Sequence, residues 1–66
     1  VNWTYIKHRQ GYIGRYDKNT LNDSDVIVVW YPDKNNNFIH NLASHKSTID
    51  LYYTEIPESE LFLELI

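Results

Sequence analysis

Sixty-six residues make a single domain spanning 1–66, and a domain of that size hides only about 60% of the surface its unfolded chain exposes. A hydrophobic content of 42%, an aromatic content of 15% and a net charge of −3 exclude a disordered chain and argue against the strongly basic footprint of a nucleic-acid binder. The lack of cysteine excludes a disulfide framework and thiolate metal sites, and makes a reducing, cytoplasmic compartment the expectation.

Trp3-Thr4-Tyr5-Ile6-Lys7-His8 is aromatic and β-branched and reads as a first strand, with Arg9-Gln10-Gly11 as its turn. Residues 11–16 carry two glycines in a strand-like context, Gly11 and Gly14, which predicts a bulge or a sharp bend where backbones approach closely. Residues 17–24 form a polar loop whose lone apolar member, Leu21, is placed to tuck against the core or to anchor a partner.

The densest apolar run is Val26-Ile27-Val28-Val29-Trp30-Tyr31. Both of its alternating faces are apolar, the pattern of a central strand covered on two sides. Pro32 cannot donate to a ladder and ends it, and residues 32–37 have the Pro, Asp and Asn chemistry of a hairpin turn. Phe38-Ile39-His40 begins the return strand, which the polar segment 41–47 interrupts. From Thr48 to Thr54 the alternation of Ile49, Leu51 and Tyr53 with Asp50, Tyr52 and Thr54 predicts a strand with one dry face and Tyr52 exposed. A single 3-10 or helical turn is expected near Pro57 to Glu60, followed by a last strand over 61–66; a helix over 57–66 is the competing reading, since Glu and Leu are good helix formers.

Five strands with short polar connections, a glycine-marked bend at Gly11-Tyr12-Ile13-Gly14-Arg15-Tyr16 leading to Val26-Ile27-Val28-Val29-Trp30, and a turn at Ile56-Pro57-Glu58-Ser59-Glu60-Leu61 resemble the Src-homology-3-like (SH3-like) small β-barrels, a superfamily that includes Tudor-like and KOW-like modules. The resemblance implies an all-β, five-stranded barrel. It implies no function, because the acidic-aromatic opening and the paired tryptophans of the peptide-binding members are missing, and folds of this kind host unrelated activities.

No motif carries an enzymatic assignment. His8, His40 and His45 have no spacing that suits a metal, and the serines beside His45 are neighbours in sequence without the spatial roles of a triad. The pairs Asp23/Asp25 and Glu58/Glu60 lack the enclosed cleft in which carboxyl pKa values separate. A non-enzymatic protein without metal or cofactor is expected.

Six tyrosines and two tryptophans exceed what a core of this size holds with every hydroxyl satisfied, so several rings should reach the surface, where Tyr favours protein interfaces. Tyr12, Trp30, Tyr31 and Tyr52 are the candidates for contact with a protein partner. The alternative is a nucleic-acid surface in which Trp3, Tyr5 and Tyr16 interleave with Lys7, Arg9 and Arg15. Charge is uneven, with +3 over residues 1–20 and −4 over residues 46–66, which cross-strand pairing of the two ends would explain. The apolar run 61–66, as an edge strand, would pair with a second copy as a homodimer. Richness in Asn, Asp, Lys, Ile and Tyr fits an AT-rich bacterial or phage genome. No run is long and apolar enough to span a bilayer, so no membrane partner is expected.

Overall fold

The alternation expected of the first strand is realised in full: β1 (Trp3–His8) turns through residues 9–11 into β2 (Ile13–Asp17) as an antiparallel hairpin. Gly11 makes that turn possible with φ of +105°, and its N–H donates to the His8 carbonyl at 2.8 Å. The computed structural model describes residues 2–20 and 25–65. A short 3-10 turn (Lys18–Thr20) follows β2; Leu21 and most of the loop expected around it lie outside the described residues.

β3 (Val26–Pro32) and β4 (Phe38–His45) form a second hairpin, closed by a turn in which the Asp33 carboxylate accepts the backbone N–H groups of Asn35 and Asn37 and Asn36 takes φ of +64°. β4 runs on through residues 41–45, where a break was expected. α1 (Lys46–Tyr52), β5 (Tyr53–Ile56) and α2 (Glu58–Leu65) complete the chain. The strands form one antiparallel sheet in the order β4-β3-β2-β1-β5, a small five-stranded arrangement compatible with an SH3-like fold. It is an open sheet: no ladder joins β4 to β5 among the described residues, so the expected closed barrel is replaced by two edges.

Residues directly opposite in an antiparallel ladder share a face. One face gathers Thr4, Ile6 and His8 of β1 with Gly14 and Tyr16 of β2, Ile27, Val29 and Tyr31 of β3, and Tyr53 of β5. Ile6, Ile27 and Val29 pack there with Ile49 of α1, and Tyr16, Tyr31 and Tyr53 border them. The opposite face holds Trp3, Tyr5, Arg15, Trp30 and Ile56, and its core is Ile13, Ile56 and Leu61 of α2, bordered by Tyr5 and Phe38. Each face thus has a small core of its own, covered by one helix.

Three expectations are corrected by this arrangement. β3 is one-sided: Ile27 and Val29 are buried, while Val26 and Val28 are each 43% exposed, because neither helix reaches their part of the second face. The strand expected over 48–54 is mostly α1, and the last strand is the short β5. A helix buries Ile49 and leaves Leu51 in solvent, so an alternation only seven residues long fitted both periods and tertiary packing chose between them. The single turn and final strand expected from Pro57 onward are the two-turn helix α2, the competing reading. Glu60 and Leu61 both donate N–H groups to the Pro57 carbonyl as it starts, and Glu58 and Glu60 sit favourably at its positive end. The strand-edge homodimer expected of residues 61–66 therefore loses its strand.

Candidate functional site

His8 ends β1 on the first face, and the Gly11 turn folds Tyr12 back beside it, with the His8 N–H donating to the Tyr12 carbonyl at 2.8 Å. Their rings stack, centroids 4.2 Å apart and planes 11° from parallel. Tyr52, the last residue of α1, lies nearly parallel to the same imidazole at 6.1 Å, and Tyr53, the first of β5, meets it edge-on at 4.8 Å. Tyr31 reaches in from β3, its hydroxyl 2.7 Å from that of Tyr53 and its ring edge-on to Tyr12 at 6.0 Å. The Arg9 guanidinium lies 5.4 Å from the centre of the Tyr52 ring, and the Arg9 N–H donates to the Tyr52 carbonyl at 3.0 Å, tying the turn to the end of α1.

Gly14 is what lets Tyr31 cross the sheet. It stands opposite Ile6 in β2, and a Cβ there would lie 2.8 Å from Val29 Cγ1 and 3.1 Å from Tyr31 Cε1. The missing side chain is the space that these two residues occupy.

Tyr12 and Tyr53 are not acid-base groups near neutral pH. Desolvation, with the Tyr31 hydroxyl as the next cause, pushes the Tyr53 phenol up to about 12, and desolvation and the neighbouring Tyr53 hydroxyl raise Tyr12 as well. They stay protonated and act as hydrogen-bonding, stacking surfaces. His8 Nδ1 accepts the Gln10 N–H at 3.0 Å, which leaves Nε2 to carry the proton of the neutral ring. Tyr12 and Tyr52 are 46% and 39% exposed, whereas Tyr31 and Tyr53 sit half-buried beneath them.

Three of the four residues expected to touch a protein partner, Tyr12, Tyr31 and Tyr52, therefore come together. Trp30 does not. It lies on the opposite face across from Arg15, whose guanidinium stacks between the rings of Trp3 (4.1 Å) and Phe38 (4.4 Å) with a buried Nε that has no hydrogen-bond partner. Tyr5 is edge-on to Phe38 at 6.2 Å. The residues of the nucleic-acid alternative are divided. Trp3, Tyr5, Lys7 and Arg15 share the second face, Tyr16 packs into the first core, and Arg9 belongs to the Tyr52 side. Lys7 is ion-paired with Glu64 at 2.7 Å, which removes one of that surface's free cations.

His8 and Tyr53 were missed as members of the cluster. The sequence signal for His8 was its position at the end of β1, just before a turn with a required glycine; Tyr53 was hidden because the strand expected there placed it on the inner face of a different element. Among the described residues no group of three or more His, Asp or Glu side chains is placed to hold a metal, and no helix is long and apolar enough to cross a membrane. Compared with protein-family models, curated proteins and solved structures, the chain matches none.

Proposed function

We propose that the chain is a non-catalytic protein-interaction module, SH3-like in fold, that meets its partner with the Tyr12 and Tyr52 rings and the Arg9 side chain between β1, β2 and α1. The observation that carries this reading is the half-exposed Tyr12–His8–Tyr52 stack with Arg9 over its outer ring. Rings already held by neighbours lose little freedom on binding, and Tyr and Arg are the residue types that dominate interface energetics. The composition supports a small bacterial or phage protein and the lack of cysteine supports a cytoplasmic setting.

Affinity capture from bacterial lysate with the wild type and a Tyr12→Ala/Tyr52→Ala double variant tests it. The double variant should keep its circular dichroism and lose the captured protein. Identical catches would remove the reason for placing the contact at these rings. The second reading, a nucleic-acid surface on the other face, is favoured by Trp3, Tyr5 and Arg15 lying together; binding of a labelled single strand that weakens with salt and with Trp3→Ala would favour it.

A further inference from the structure

β4 is the longest strand of the sheet and one of its two edges. An edge strand presents a row of backbone N–H and C=O groups without partners, and proteins guard such rows with lysines, acidic residues, prolines, bulges or short length. β4 has almost none of these guards. Its sequence, Phe38-Ile39-His40-Asn41-Leu42-Ala43-Ser44-His45, contains no Lys, Arg, Asp, Glu or Pro, and its only irregularity lies at the Tyr31/Pro32 end, leaving His40 to His45 in unbroken register with β3. The other edge is guarded: β5 has four residues, carries Glu55 and is bounded closely by the two helices.

We propose that the free edge of β4 pairs antiparallel with β4 of a second copy, about a twofold axis through Leu42, joining the two sheets into one of ten strands. A twofold axis perpendicular to the sheet keeps each face continuous, so residues of the same parity meet. Leu42 faces its own copy, Asn41 faces Ala43, and His40 faces Ser44. No formal charge opposes a like charge anywhere along this register, and that neutrality makes the strand its own complement. Leu42 is 62% exposed in the single chain, and the axis is where it finds cover. A single strand pair lies at the small end of protein interfaces, below about 1,200 Å², so the dimer forms with rising concentration. This edge is separated from His8 by β3 and β2 and does not depend on the aromatic cluster.

Sedimentation velocity from micromolar to millimolar concentration tests the pairing, together with amide hydrogen exchange on the same samples. The apparent mass should double across the series, and alternate amides within residues 40–44 should slow as it does. Leu42→Lys places two like charges at the axis and should hold the protein monomeric. Leu63→Lys, at a still more exposed site on α2 (73%), should leave association unchanged. A wild type that stays monomeric to millimolar concentration overturns the proposal. So does a dimer abolished by Leu63→Lys, or one in which the β4 amides exchange as fast as in the monomer.

Discussion

The hydroxyls of Tyr31 and Tyr53 lie 2.7 Å apart although two strands, β2 and β1, separate the strands that carry them. The bond fastens the β3–β4 hairpin to β5 over the top of the sheet. Tyr31→Phe removes this bond and leaves the ring, so it should cost about 1 kcal/mol, read as a lowered urea midpoint with an unchanged slope.

Gly14 and Gly11 should respond to alanine for different reasons. Gly14→Ala drives a methyl group into Val29 and Tyr31 and should cost about 1–3 kcal/mol by overpacking. Gly11→Ala meets nothing within 4 Å but has to hold φ at +105°, for about 1 kcal/mol. Only Gly14→Ala should also loosen the aromatic cluster, visible as a change in near-ultraviolet circular dichroism.

The raised phenol of Tyr53 gives the fold an alkaline limit. Its folded pKa of about 12 lies above the ordinary value of 10.0, so between the two the unfolded chain releases the proton and the folded chain keeps it. The stabilisation from this group is complete below pH 10 and is lost as pH rises toward 12. Thermal unfolding across that range should show the midpoint falling, and the fall should be smaller in Tyr53→Phe.

Arg15 should not be replaceable by lysine. Its flat guanidinium stacks on both Trp3 and Phe38, and a lysine ammonium matches neither the shape nor the double contact. Arg15→Lys should lower stability by about 1 kcal/mol in chemical denaturation and should red-shift the tryptophan emission as the Trp3 ring loses its cover. Arg15→Met, which keeps bulk and drops charge, separates packing from the cation.

Where local chemistry was one-sided, the sequence could be read. Trp3–His8, the turn at Gly11, the β3 run and the Pro32 to Asn37 hairpin turn appear where they were expected, because alternation, a required positive φ and proline each admit one local answer. The last third was ambiguous for a physical reason. Residues 46–52 bury a single side chain, Ile49, and one buried residue has no period. Residues 58–65 mix strong helix formers with an alternation of leucines, and among the described side chains of this helix only Leu61 is buried. At the site, the surplus of tyrosine correctly signalled surface rings, and Tyr12, Tyr31 and Tyr52 converge. That His8 binds them together and that Trp30 lies on the other face follow from strand register, which composition does not carry.

β1 is flanked by β2 on one side and by β5 on the other, and those two neighbours are made at very different times. During synthesis the hairpin partner emerges within a few residues, whereas Tyr53–Ile56 comes only after β3, β4 and α1 have been produced. Until then the second edge of β1, together with the underside of Ile6 and His8, waits unpaired. The nascent chain thus passes through a period in which the β1–β2 hairpin keeps an unpaired edge, and completion of the sheet is set by the arrival of Tyr53–Ile56.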